Sequence, residues 1–419
     1  MQQHETGTGT RRLASLDALR GFDMFWIMGG DTLAAAIGGL GNSPLTRGIA
    51  RQLEHAEWEG FHFYDLVFPL FVFVMGVSIV FSLARTLDEH GPAATLRRVL
   101  ARSVLLFALG IFYSGGFTNP WPDVRLLGVL NRIALCYLGA AAIFCALRGR
   151  RRAAATTAGI AAALLVGYWA LMTFVPYPDL RPLDASGAPI HNPSAGDPAA
   201  GERLVAESTA ELRWDTTSTL TGVIGPGLNL ANYVDARFLP GKLWVKTWDP
   251  EGLLSTLPAI ASALLGVLAG MLLANRALTE ARKVRVLAVA GLLGVALGAA
   301  WGLEFPVIKK IWTSSFALVA GGASALLLAL FHHAIEVRGR RAWAEPFVWY
   351  GTNAITVYMA DNLIGFRKLA GRLVGPDARA FLDAHVAVGS GGLVLALTEI
   401  GCGLALVWYL HRKRIFLRL

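Results

Sequence analysis

The chain has 419 residues, 54% of them hydrophobic and only 16% charged, with a mean hydropathy of +0.50. A soluble globular protein carries charge on about a quarter of its residues, so this composition excludes an ordinary string of soluble domains and points to a chain held mostly in lipid. The formal net charge of +9 is spread over alternate loops rather than gathered in one patch, which argues against a nucleic-acid surface.

Residues 1–20 are polar and are expected to form a cytoplasmic segment without a cleavable signal. The first apolar run is long, carries Asp23 and Asp31, and lacks a small-residue cleavage site. Ten apolar stretches follow, near 21–41, 60–83, 99–117, 126–147, 154–175, 253–274, 284–303, 312–335, 345–366 and 388–410. Each is close to the roughly 20 residues that a membrane helix needs. The expected fold is therefore all-α and polytopic, a single transmembrane domain over 21–410 with a basic tail at 411–419. Residues 176–252 interrupt it with a Pro-, Gly- and Asp-rich segment that turns aromatic, read as a long loop on the outer face, either a lid or a spacer. Cys136, Cys145 and Cys402 sit singly in apolar runs, without metal-ligand spacing, and read as small hydrophobes.

Charge sets the orientation. Of the 38 Lys and Arg residues, 22 fall in one set of alternate loops and ends. Only 10 fall in the other set once the long loop is left out, as the positive-inside rule requires. Both termini are thus expected in the cytoplasm.

On that topology the costly polar groups gather toward the outer leaflet. They are Asp31, Asp65, Asn131 and Arg132 in "GVLNRIALCY", Asp361 in "ITVYMADNLIGF", and, at the outer mouths, His55, Glu251 and Glu304. An aspartate at the centre of a membrane helix costs roughly 2.5–3.5 kcal/mol even on lenient scales. Such groups face a bundle interior or cavity and pair there, and scattered structural charges have no reason to share a depth. "EHAEWEGFHFYDLVFPLFVFVMG" (54–76) puts His55 just before an apolar run and Asp65 just inside it. Histidine serves as base or nucleophile near neutral pH when a carboxylate orients it. Structural alternatives stand beside these: Arg132 as glue to Asp65 or Asp361, His55 and His62 as loop histidines, Trp58 and Tyr64 as an interface belt, and His332–His333 as an interfacial pair. No Walker loop, GxSxG, HExxH or CxxC is present.

At "RLASLDALRGFDMFWIMGGD" and "EHAEWEGFHFYDLVFPLFVFVMGVSI" the chain resembles the heparan-α-glucosaminide N-acetyltransferase family and its bacterial relatives. The likeness continues through "RLLGVLNRIALCYL", "WDPEGLLSTLPAIASALLGVLAGMLL", "LEFPVIKKIWTSS" and "GTNAITVYMADNL". The resemblance implies transmembrane acetylation: acetyl-CoA donates from the cytoplasm, and a glucosamine-type amine accepts on the other face. It places the family's active-site histidine on His55 and its aspartate on Asp65. The family's asparagine falls on Asp31, and the lysosomal enzyme's histidine falls on Asp361, which puts the acceptor rather than the donor in question. On this basis Asp31, Asn131, Arg132, Glu251 and Asp361 are substrate-site candidates, with Asn131 and Arg132 facing an oxyanion. Arg20 and Arg102 are the candidates for the phosphates of CoA. A homodimer is implied, and no metal is required. His55 acts either as base or as acetyl carrier. The competing class is a transporter of N-acetylglucosamine or a related amino sugar that kept the scaffold without the chemistry.

Overall fold

The computed structural model describes residues 13–41, 43–180, 216–245 and 248–416. The expected N-terminal segment therefore lies outside the described residues over 1–12, the long loop over 181–215 and 246–247, and the basic tail over 417–419.

Away from water a helix satisfies its backbone polar groups within the segment itself, and the apolar runs accordingly fold as helices. In chain order these are α1 (Ala14–Gly39), α2 (Pro44–Gln52), α3 (Val67–Tyr113), α4 (Val129–Leu147), α5 (Ala153–Phe174), α6 (Leu230–Phe238) and α7 (Thr256–Ala274). They continue with α8 (Glu280–Trp301), α9 (Ser314–His332), α10 (Glu345–Thr352), α11 (Ala354–Ile364), α12 (Phe366–Val374), α13 (Pro376–His385) and α14 (Ser390–Arg412). A two-residue antiparallel pair, Tyr177–Pro178 with Thr219–Leu220, is the sheet among the described residues. The protein is thus an all-helical, multi-pass membrane protein. Each of the ten apolar stretches falls on helix, and seven spans among the described residues are long and apolar enough to cross a membrane.

One of these spans, Phe63–Tyr113, holds two of the stretches. At Gly91 the backbone adopts φ 76°, ψ 175°, and Pro92 follows. That φ suits glycine, and proline supplies no N–H to the turn before it, so 67–90 and 92–113 are separate arms. Val67 and Tyr113 line one cavity, which shows that the chain doubles back between them. The ninth stretch is also divided. Asn353, buried and with neither side-chain polar atom hydrogen-bonded, separates α10 from α11.

Small residues set the closest approaches. A Cβ on Gly76 would lie 2.0 Å from the Ala263 carbonyl oxygen, and one on Gly266 2.0 Å from that of Phe73, so α3 and α7 meet backbone to backbone. The main core is shared by α1, α3, α4, α7 and α9. A second apolar cluster joins α1 to α10, α11 and α14. Val289, Leu292, Leu293 and Leu297 on α8 are exposed, as a lipid-facing helix requires.

Candidate active site

His55 lies on the connection between α2 and α3, and three contacts fix its position. Asp65 sits in the short 3-10 turn Phe63–Leu66, where its Oδ2 accepts the backbone N–H of Ala56 at 3.1 Å and of His62 at 3.0 Å. Its Oδ1 lies 3.0 Å from His55 Nδ1. The ring of His55 stacks on Tyr64, centroids 4.7 Å apart and planes 27° from parallel. Gly30 leaves room for that tyrosine, since a Cβ there would lie 2.4 Å from its ring. Trp58 anchors the connection from outside: it is buried edge-on against Trp248, and its Nε1 donates to the Ile224 carbonyl at 2.9 Å. Trp58 and Tyr64 are therefore parts of the site's scaffold and not an interface belt.

Asp65 is fully buried, while the His55 side chain is 48% exposed. A buried carboxylate accepting from Nδ1 leaves Nε2 as the free lone pair of the neutral ring. The imidazole lines a cavity of about 330 Å³ together with Asp31, Tyr64, Tyr113, Glu251 and Tyr358. Phe68, Phe71 and Ile133 supply apolar wall.

Lys309 completes this cavity, and it was not singled out from the sequence. The N–H of Gly60 donates to the Val307 carbonyl at 2.9 Å, and Glu59 bridges Ile308, so the His55 connection is zipped to the α8–α9 turn. Thr313 closes that turn: its Oγ1 accepts from Ile308 N at 3.0 Å and caps α9 through Phe316 N at 3.3 Å. Lys309 Nζ then lies 2.9 Å from His55 Nδ1, 3.2 Å from Nε2 and 3.6 Å from Asp65 Oδ1. Burial lowers its ammonium to about 8, although the carboxylates of Asp65, Glu251 and Asp31 oppose the shift. In sequence Lys309 is one of two adjacent loop lysines, separated from His55 by most of the chain, and only its place in "LEFPVIKKIWTSS" marked the segment.

Glu251 reaches the cavity from a braced loop. Arg125 makes a two-pronged pair with Asp249, at 2.9 and 2.7 Å, and its Nη2 also donates to Glu251 Oε2 at 2.8 Å. Burial and the neighbouring Asp249 charge push the Glu251 carboxyl well above its ordinary range. Burial raises Asp235, which accepts the Leu253 N–H at 2.8 Å behind this loop, to about 7.

The other candidates serve the scaffold. Arg132 is fully buried, donates to the Gly252 carbonyl at 3.1 Å and to Ser255 Oγ, and lies over the Trp312 ring at 5.3 Å. It is glue, but to the start of α7 and not to Asp65 or Asp361. Asn131 Nδ2 donates to the Phe107 carbonyl at 2.8 Å, joining α4 to α3. Neither Asn131 nor Arg132 is among the residues lining the cavity. Asp361 Oδ1 accepts the Phe366 N–H at 3.2 Å, at the α11–α12 junction and away from the cavity wall.

At the opposite end of the bundle a second cavity, of about 660 Å³, is lined by Arg85, Arg148, Arg276 and Lys283 among carboxylates that include Asp88 and Glu280. Arg20 and Arg102 do not line it. Arg20 donates to Asp17, Ser78 and the Gly351 carbonyl, and Arg102 lies over the Tyr137 ring at 4.8 Å. His332 is no interfacial residue: it is buried, with Nδ1 3.2 Å from Ser15 Oγ and Nε2 2.7 Å from Glu280 Oε2. Among the described residues no group of three or more His, Cys, Asp or Glu side chains is placed to hold a metal ion.

Fold and site together define a polytopic helical membrane protein with a His–Asp pair facing a cavity at one end of its bundle. It is a distant relative of the heparan-alpha-glucosaminide N-acetyltransferase family. The enzyme of that name from Mus musculus is 26% identical over 354 residues, covering 74% of this chain and 49% of the relative. The Homo sapiens enzyme is 27% identical over 357 residues, covering 74% and 48%. The chain thus spans about half the length of the curated relatives it matches. No family model matches it.

Proposed function

We propose that this protein is an N-acetyltransferase of the bacterial inner membrane. In this reading it takes acetyl from acetyl-CoA at the cytoplasmic face and delivers it to a glucosamine-type amine at the periplasmic face. Both termini are cytoplasmic and the 176–252 loop is periplasmic, as the distribution of Lys and Arg supports. The observation that carries the activity is the 3.0 Å contact of His55 Nδ1 with buried Asp65, which leaves Nε2 to the cavity. There His55 takes the acceptor's proton or carries the acetyl group, and Asp65 positions the ring and offsets its charge. Asp31 and Glu251 on the same wall suit an amine that arrives protonated.

The donor's phosphates belong at the second cavity, where Arg85, Arg148, Arg276 and Lys283 gather and where phosphate would compete with Glu89, Asp88 and Glu280 for three of them. This assignment replaces Arg20 and Arg102. Phe71 of the first cavity and Val80 of the second lie about 14 Å apart along their helix arm by helical rise. A donor bound at one end therefore has a short membrane interior to cross. The assembly is a homodimer in this reading, on the family resemblance alone.

The test is acetyl transfer from acetyl-CoA to glucosamine by purified full-length protein. His55→Ala is expected to abolish transfer while keeping a monodisperse elution profile, and undiminished turnover in that variant ends the assignment. A transporter of N-acetylglucosamine is the second reading. It is favoured by the helix break at Asn353 and by buried Asp23, neither of whose carboxylate oxygens has a hydrogen-bond partner. Uptake of labelled N-acetylglucosamine into proteoliposomes lacking acetyl-CoA would select it.

A further inference from the structure

We propose that Lys309 is a further catalytic residue, the acid that protonates the departing thiolate beside the base His55; this rests on the acetyl-transfer reading above. Lys309 Nζ lies 2.9 Å from Nδ1 and 3.2 Å from Nε2, which places it over the face of the imidazole and off the axis of either ring lone pair. With Nδ1 committed to Asp65, the Nε2 lone pair stays open to take the proton of the amine. The base and the nearest cation therefore stand side by side in one cavity without competing for one lone pair. A lysine placed only to pair with Asp65 has no need of the imidazole, yet Nζ is nearer to both ring nitrogens than to Oδ1, at 2.9 and 3.2 Å against 3.6 Å.

The step balances as follows. An ammonium that reaches the cavity first gives one proton to solvent; the neutral amine then attacks the thioester carbonyl, so that an N–C bond forms and the C–S bond breaks, with the electron pair leaving on sulfur. The amine's proton passes to His55 Nε2, and a proton from Lys309 Nζ passes to the thiolate. Imidazolium then gives its proton to solvent, which reaches the half-exposed His55 side chain, and the neutral lysine takes one back from solvent, so that the net result is amide plus free thiol. An acid whose pKa lies near the working pH is the efficient one, and burial brings Lys309 to about 8. The titratable and charged groups that face it are His55 and Asp65 from the connection before α3, Asp31 from α1, Glu251 from the loop before α7, and the phenols of Tyr64, Tyr113 and Tyr358 across the cavity.

The test compares two donors in the purified full chain: acetyl-CoA, and the S-acetyl ester of thionitrobenzoate, whose thiolate leaves without being protonated. Lys309→Met is expected to slow transfer from acetyl-CoA by roughly 10²–10⁴-fold while slowing the aryl thioester less than about tenfold. Lys309→Arg, which keeps the cation but does not give up a proton, is expected to show the same donor-dependent loss. In the wild type, kcat/KM with acetyl-CoA falls above pH ~8, and the aryl donor lacks that limb. Equal losses with both donors, no loss, or rescue by arginine overturns the acid role. If the wild type transfers acetyl from neither donor, the acetyl-transfer reading falls and this one with it; normal wild-type transfer unaffected by Lys309→Met removes this one alone.

Discussion

The N–H of Gly60 meets the carbonyl of Val307 at 2.9 Å, and this one crossing brings the two halves of the site together. Its effect is to set a lysine from the α8–α9 turn beside a histidine from the connection before α3, residues whose association no local sequence pattern encodes.

Asp65→Asn keeps the shape of the side chain and removes its charge. The amide oxygen can still accept from Ala56 and His62, but its nitrogen faces a ring nitrogen that also needs an acceptor. By analogy with an orienting carboxylate replaced by its amide, acetyl transfer should fall on the order of 10⁴-fold with folding retained. A rate within threefold of wild type would remove Asp65 from the mechanism.

Asp31→Asn takes one negative charge from the cavity without touching the His55–Asp65 pair. If Asp31 attracts the protonated amine, the acceptor KM should rise several-fold while kcat stays near its wild-type value, the signature of lost uniform binding. Steady-state kinetics at varied glucosamine decides, and a fall in kcat at constant KM would place Asp31 in the chemistry instead.

Arg125 compensates two carboxylates at once, and its side chain is only 15% exposed. Arg125→Met leaves Asp249 and Glu251 buried without their cation, a change that typically costs about 3–5 kcal/mol. The melting temperature should drop clearly, and the double variant with Asp249→Leu should recover part of the loss. A single variant that melts with the wild type would show that the pair contributes nothing to stability.

The raised carboxyl of Asp235 gives stability a pH dependence of definite sign. Its folded pKa of about 7 lies above the ordinary value of an unfolded aspartate. Between about pH 4 and 7 the folded state binds more protons than the unfolded one. The stabilisation is complete below that window and is lost as pH rises through 7. Asp235→Asn removes the titration, so the variant should gain on the wild type between pH 5 and pH 8 in thermal melts. A constant difference across that range would refute the shift.

Much of this architecture was legible in the sequence, because hydropathy and the length a bilayer demands leave few alternatives. The His55–Asp65 contact was also within reach, since the two residues flank a single short turn. What the sequence concealed is of another kind. Asn353 divides a stretch whose hydropathy runs on without interruption, and only backbone angles reveal that break, whereas the turn at Gly91 falls in the polar gap between two apolar stretches. Arg132 shares a depth with the site residues but turns to the Gly252 carbonyl, because depth along a helix does not say which way a side chain points. Lys309 entered the sequence reading only as loop charge, and its role depends on the pairing of two distant connections.

The reversal at Gly91 has a consequence at the other end of the molecule. The arms 67–90 and 92–113 turn on this one residue, within the polar tip 84–98 that joins their apolar parts. A side chain that disfavours the turn would be felt at both far ends, Val67 and Tyr113, where the arms line the first cavity.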